Sequence, residues 1–288
     1  MSNTETTSAP ESTSPTTDEA ASPRTTRIDG SADDYLFEAE LYDLLWADLN
    51  TLDLPFILAK TEEFGGPLLE LACGTGRVLL PCAERVERAV GVDRSPSMLA
   101  QARTNADAAG VPEDKVSLVE GDLRDFDLGE RFPLIIAGGQ PLFHMPTDED
   151  WARTLDTVRR HLAPGGRFVA GVPVFLQEDF DKYDQRYLFV DEVRHPSTGQ
   201  RVAIWDYSTF DYDVQSITRR RVTEILDEQG LVVQRRHDLR TNYYRFPDQI
   251  RALFEKAGLR IEREYGGYDE SPFEADSEYY IWVATPAD

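Results

Sequence analysis

The stretch Leu68-Leu69-Glu70-Leu71-Ala72-Cys73-Gly74-Thr75-Gly76-Arg77-Val78 runs from an apolar strand through a Gly-x-Gly turn into a helix. Glycine lets backbone pass close to a ligand and take φ values that side chains forbid. A dinucleotide fingerprint needs a third glycine where Leu79 stands, which disfavours NAD and FAD, and no Gly-Lys-Ser or Gly-Lys-Thr closes the turn, which excludes a P-loop. Seventeen residues beyond Gly76, the run Val90-Gly91-Val92-Asp93 ends in a carboxylate able to accept both hydroxyls of a ribose. Asp122 closes the next strand, Val119-Glu120-Gly121-Asp122-Leu123, with an acceptor for an exocyclic amine. Three carboxylates at neighbouring strand ends suit a cationic nucleoside and repel a pyrophosphate. Each alone is commonly a helix cap; in this order and spacing they describe a site.

These residues resemble those of class I S-adenosylmethionine-dependent methyltransferases. The likeness covers about 35–174 and 246–285 and includes Glu70 to Gly76, Val92-Asp93, Ser95, Met98-Leu99, Gly121-Asp122 and Leu162-Ala163-Pro164-Gly165-Gly166. It implies S-adenosyl-L-methionine as cofactor, with Glu70, Ala72, Cys73, Gly74 and Gly76 under the methionyl part. By the same resemblance Asp93 holds the ribose, Met98 packs on the adenine, Asp122 and Leu123 meet its edge, and Tyr42, Arg94 and Gln140 complete the cofactor contacts. Ala72 departs from the glycine usual there; its methyl narrows the turn while the acidic residue and both following glycines remain. Cys73 reads as a small packed residue, because methyl transfer from a sulfonium needs no covalent enzyme intermediate. It needs a lone pair held in line with the methyl carbon at near-attack distance. No metal is expected.

The acceptor should lie beyond the fourth strand, at Ala137-Gly138-Gly139-Gln140-Pro141-Leu142-Phe143-His144. Methyltransferases of nucleic-acid amino groups usually carry Asn or Asp-Pro-Pro-Tyr or Phe here, so Gly-Gly-Gln-Pro points to a small molecule, with amine nitrogen ahead of oxygen or carbon. His144 is a candidate general base or hydrogen bonder to the acceptor, and equally a structural histidine. Trp46 and Tyr244 are further candidate acceptor contacts; Tyr42 and Trp46, one helical turn apart, fit a lid contact or a core stripe alike. Arg219-Arg220-Arg221 reads as a solvated strand surface paired with carboxylates rather than an anion site. Two rivals stand beside this reading: a protein- or RNA-modifying enzyme on the same fold, and a non-catalytic S-adenosylmethionine-binding protein.

The elements that must position these residues follow from periodicity. Apolar strands over 67–72, 89–93, 116–120, 134–137 and 166–172 alternate with helices near 78–86, 96–109 and 149–162. Their continuous apolar character suits a parallel sheet covered on both faces. Extended segments over 187–193, 201–211, 217–226 and 231–244 then read as an inserted antiparallel sheet, and a helix over 247–257 precedes strands at 259–265 and 278–284. The expected fold is α/β: a Rossmann-like seven-stranded methyltransferase sheet with an inserted antiparallel β-sheet. Its parts are a disordered acidic tail over 1–31, rich in Ser, Thr and Pro; a core over 32–174; the insertion over 175–245, covering the acceptor or forming a homodimer face; and the rest of the core over 246–288.

Composition narrows the setting. The chain has 288 residues and a net charge of −23, with 41% hydrophobic residues, enough for a core. Only Lys60, Lys115, Lys182 and Lys256 are lysines; arginine supplies the other basic residues. An acidic, lysine-poor surface suits a halophilic cytoplasm, where salt screens like-charge repulsion. It disfavours a nucleic-acid partner. No run approaches a membrane span or a signal peptide, so the expected location is cytoplasmic. Cys73 and Cys82 lack zinc-ligand neighbours and are expected to be reduced thiols.

Overall fold

The structure is a computed structural model that describes residues 39–45 and 49–287, with 1 and 25–27. In chain order its elements are β1 (Thr25–Arg27), α1 (Ala39–Leu45), α2 (Leu49–Leu52), α3 (Leu54–Phe64), β2 (Leu68–Leu71), α4 (Leu79–Ala83), β3 (Ala89–Asp93), α5 (Pro96–Ala108), β4 (Val116–Glu120) and β5 (Phe132–Ala137). A 3-10 turn (Pro141–His144) follows, then α6 (Asp148–His161), β6 (Leu162–Pro173), α7 (Gln177–Tyr183), β7 (Arg186–Arg194), β8 (Arg201–Asp211), β9 (Ser216–Leu226), β10 (Val232–Tyr243), α8 (Pro247–Lys256), β11 (Leu259–Tyr265) and β12 (Tyr279–Pro286).

Seven strands form one sheet in the order β11-β12-β6-β5-β2-β3-β4. β12 runs antiparallel to both its neighbours and the other pairings are parallel. Alternate residues of the central strands feed two separate cores. Leu69, Leu71, Val90, Val92 and Ile135 pack with Trp151 and Leu155 of α6 and Phe254 of α8. Leu68, Ala89, Leu134 and Ile136 pack with Phe56 of α3, Leu79 of α4 and Leu99 of α5. With both faces covered, no position of β2 or β3 meets solvent, which is why their sequences carry no polar alternation.

A second sheet, β1-β10-β9-β8-β7, is antiparallel except at its edge. There β1 pairs parallel with β10, Thr25 opposite Arg235, inside the segment expected to be disordered. Backbone pairing at a sheet edge leaves no apolar periodicity to read. The inner face meets the rest of the molecule at two apolar ends. Val202 and Ile204 pack on Leu41 of α1. Ile217 and Phe210 pack with Phe180, Tyr244, Phe175 and Phe143. The short α7, polar apart from Phe180 and Tyr183, had no periodic signal.

Candidate active site

Three strand ends and two turns frame one cleft, with about 860 Å³ of space out to its mouth. Tyr42, Ala72, Gly74, Asp93, Arg94, Met98, Asp122, Leu123 and His144 line it, joined by Arg124, Gly138, Gly139, Pro141 and Met145. Gly74 takes φ +54° with open space beside its Cα, so the backbone itself faces the cleft. Its N–H donates to Asp93 Oδ2 at 2.8 Å, and Ser95 N–H donates to Asp93 Oδ1 at 2.9 Å. Each oxygen thus holds a backbone donor and keeps lone-pair capacity for a ligand hydroxyl. Burial pushes the Asp93 carboxyl above the usual range, against the pull of those two N–H groups. Ser95 caps α5 by accepting from Met98 N–H at 3.2 Å, which fixes Met98 in the first helical turn, facing the cleft.

Glu70 lies beneath the turn, 2% exposed, and its Oε2 has no hydrogen-bond partner among the described residues. A Cβ at Gly138 would stand 3.2 Å from Glu70 Oε1, so only glycine leaves this approach open. Desolvation pushes the Glu70 carboxyl well above the usual range; Arg77 opposes that, and Asp53 and Asp93 add to it. A buried acceptor without a donor, under a bare backbone turn, fits an ammonium-bearing ligand. Arg77 is itself clamped by Asp53 through two 2.7 Å bonds, both side chains buried. Asp43 of α1 ties that helix to the turn, accepting from Thr75 Oγ1 at 2.5 Å and from Asn105 Nδ2 at 2.9 Å.

Other expected residues sit elsewhere. Cys73 is 4% exposed, its thiol pushed well up by burial; a Cβ at Gly91 would lie 2.6 Å from its sulfur, so it fills the space glycine leaves. Cys82 is buried too, its thiol pushed up to about 12. Gly76 turns the chain behind the cleft, donating to Cys73 O at 2.9 Å. Gln140 does not line the cleft: its left-handed backbone, φ +64°, goes with a side-chain bond to Tyr268 instead. Tyr244 is 3% exposed in the aromatic cluster, with Phe175 and Phe180 centroids 5.7 and 5.8 Å away, and so is shielded from the cleft. Trp46 lies outside the described residues. Asp122 is held by Arg124, whose Nε donates to Oδ1 at 2.9 Å and whose second nitrogen donates to Oδ2 at 2.6 Å. Arg124 keeps that carboxyl below its usual range.

On the acceptor side, His144 ends the 3-10 turn with Asn242 Nδ2 of β10 3.4 Å from its Nδ1. The ring is exposed at the cleft. Desolvation by the surrounding protein, with the guanidiniums of Arg94, Arg240 and Arg219, pushes it down to about 4. Sequence reading missed Asp43, Asp53, Arg124 and Asn242. Arg124, two residues from Asp122, had a local signal; Asp53 and Asn242 are brought in by tertiary contact.

The fold and site together define a class I S-adenosylmethionine-dependent methyltransferase, and the comparisons agree. Residues 68–166 match the family described as Methyltransferase domain. The chain is 26% identical over 235 residues to the dTDP-3-amino-3,4,6-trideoxy-alpha-D-glucopyranose N,N-dimethyltransferase of Streptomyces venezuelae, covering 80% of this chain and 92% of that one. A methyltransferase structure from Clostridium acetobutylicum ATCC 824 superposes with a TM-score of 0.73 at 19% identity over 88% of this chain and 99% of the other. The sugar N-methyltransferase KedS8 from Streptoalloteichus sp ATCC 53650 superposes at 0.68 and 21%, over 93% and 99%. The chain is a methyltransferase with S-adenosylmethionine as its cofactor, and among its described residues no helix is long and apolar enough to cross a membrane.

Proposed function

We propose that the protein methylates an amine nitrogen of a small molecule, with an amino sugar as the acceptor class. The observation that carries this is a single cleft with carboxylates at strand ends on one side and a neutral imidazole under the inserted sheet on the other. The methyltransferase of Streptomyces venezuelae, whose name specifies an amino-sugar nitrogen, supports the acceptor class. S-adenosylmethionine supplies an electrophilic methyl on a sulfonium.

In this reading Asp93 holds the ribose hydroxyls, Glu70 faces the methionyl ammonium, Met98 and Leu123 flank the adenine, and Arg94 and Tyr42 close the side. Asp122 reaches the adenine edge only as far as Arg124 shares it. His144 is a weak base, so it orients the amine by accepting its N–H rather than by stripping an ammonium. An amine lone pair needs no stronger help once held at near-attack distance, where positioning alone supplies about 7–11 kcal/mol. Incubation with S-adenosylmethionine and a panel of amino sugars, simple amines, peptides and RNA tests the reading. N-methylated amino sugar with matching S-adenosylhomocysteine is the expected product. Methylated peptide or RNA, or tight cofactor binding with no turnover on any acceptor, would replace it by one of the rivals.

Segment 175–245 is an insertion between the core parts 32–174 and 246–288, following a tail over 1–31, and it covers the acceptor. Exposed Tyr187 and Phe189 on edge strand β7 support a homodimer through that sheet, checked by sedimentation. The charge of −23 supports a salt-adapted cytoplasm without nucleic-acid partners. Dialysis into dilute buffer should cost helicity.

A further inference from the structure

The inward side of α6 carries two lines of residues at helical spacing. Trp151, Leu155 and Val158 are apolar and enter the core, as an amphipathic helix requires. The adjoining line, Asp150, Thr154, Thr157 and His161, is polar, yet Thr154, Thr157 and His161 are at most 1% exposed. A buried polar side chain costs free energy unless it finds a partner. Thr154 returns its hydroxyl to the helix, donating to Asp150 O at 2.9 Å. Asp150, Thr157 and His161 instead reach one loop, 121–128, which follows β4 and brings Asp122, Leu123 and Arg124 into the cleft wall.

The three contacts are specific. Asp150 Oδ1 accepts from Arg124 Nη1 at 2.9 Å, and Thr157 Oγ1 donates to Arg124 O at 3.2 Å. Leu128 N–H donates to His161 Nε2 at 3.1 Å, while His161 Nδ1 lies 2.8 Å from Thr157 O. An amide N–H only donates and a carbonyl only accepts, so the ring carries its proton on Nδ1 and bridges helix to loop. Asp127 Oδ1, 3.8 Å from the same Nε2, is beyond hydrogen-bond reach. The ring also stacks on Phe126, centroids 4.5 Å apart. The loop is thereby pinned at the main chain of Arg124 and Leu128, on either side of Phe126. From the first of these pins the Arg124 side chain reaches back to both oxygens of Asp122.

We infer that Thr157 and His161 of α6 are positioning residues for the base of the cofactor, fixing the 121–128 loop so that Asp122 accepts a 6-amino purine and rejects a 6-oxo one. The inference rests on the proposed placement of Asp122 at the adenine edge and adds what holds it there. Neither Thr157 nor His161 lines the cleft. A 6-amino group donates to a carboxylate, whereas a 6-oxo group turns lone pairs toward it. That choice depends on where the acceptor is held, because a hydrogen bond weakens steeply with distance and angle. Side chains that merely filled the core could be exchanged for apolar ones of the same shape without changing which base is preferred.

The test is calorimetric titration of the full chain with S-adenosylhomocysteine and with S-inosylhomocysteine, its 6-oxo analogue. The wild type should favour the 6-amino ligand by about tenfold or more. His161→Phe keeps a ring to stack on Phe126 but leaves Leu128 N–H without an acceptor, and Thr157→Val removes the donor to Arg124 O. In the double variant S-adenosylhomocysteine affinity should fall about tenfold, while the analogue, with no hydrogen bond to Asp122 to lose, should change less than about threefold. Each single variant gives a smaller loss and serves if the double variant misfolds. His161→Gln, whose amide oxygen can accept from Leu128 N–H, should keep most of the preference. Equal losses for both ligands, a lower Tm with the preference intact, or a Gln variant that behaves as the Phe one assigns the two residues to stability and overturns the inference alone. A wild type that binds both ligands equally removes Asp122 from the base edge, and the inference falls with that placement.

Discussion

The seven-stranded sheet and the inserted sheet solve different problems with the same backbone unit. β2 and β3 are buried on both faces, and their ends line one side of the cleft through backbone turns and short-range caps. β7 is exposed along nearly its whole length, and β10 touches the cleft through single side chains such as Asn242. One half is a rigid frame whose chemistry is built from neighbours in sequence. The other, the proposed cover, has chemistry that depends on register across strands. Disturbing the frame should cost stability and cofactor affinity; disturbing the cover should change the acceptor alone.

The largest effect is expected from the frame. Asp53→Ala leaves the Arg77 guanidinium buried without its bidentate partner, a loss of about 3–5 kcal/mol in urea unfolding. A loss under 1 kcal/mol would mean that the pair is replaceable and the frame less rigid than its burial implies. Asp93→Ala comes next. It removes the proposed acceptor of two ribose hydroxyls, each charged hydrogen bond worth about 1.5–3 kcal/mol, so S-adenosylhomocysteine should bind about 100-fold weaker or worse. Unchanged affinity would remove Asp93 from the cofactor site.

That order of effects mirrors what could be read without coordinates. Glu70, Gly74, Asp93, Met98 and Asp122 were legible because a strand, a turn and the first turn of a helix occupy consecutive residues, and all but Glu70 line the cleft. The sheet itself was legible because two-sided burial removes polar alternation. Asp53 and Arg77 are 24 residues apart and pair only in the fold, so nothing local announces them. Gln140 and Tyr244 were misplaced because composition does not say which way a side chain turns: a left-handed φ sends one to Tyr268, and an aromatic cluster absorbs the other.

The cover should respond more narrowly. His144→Asn keeps a hydrogen-bond acceptor but loses the imidazole, and about a tenfold fall in kcat/KM for the amine is expected with cofactor affinity unchanged. The pH dependence carries a sign. The ring is held down to about 4, so the folded protein binds fewer protons than the unfolded chain between that value and the ordinary 6.5. The stability His144 contributes is therefore present above 6.5 and lost as pH falls toward 4, and the variant should lack that part of the fall. A variant that loses cofactor affinity as strongly as acceptor turnover would erase the division between the two halves.

The smallest expected effect sits where the frame departs from its own pattern. Ala72 lies in the cleft wall with φ +52°, a left-handed conformation that costs a residue with a Cβ about 1–2 kcal/mol. Glycine takes that φ freely but loses more chain entropy on folding, about 0.5–1 kcal/mol. The two terms largely offset, so Ala72→Gly should raise stability by about 0–1.5 kcal/mol. The removed methyl widens the turn beside Gly74, and S-adenosylhomocysteine should bind as tightly or slightly tighter. A clear loss of affinity would show that the Ala72 methyl packs on the cofactor, which would make the departure from glycine a contact rather than a tolerated strain.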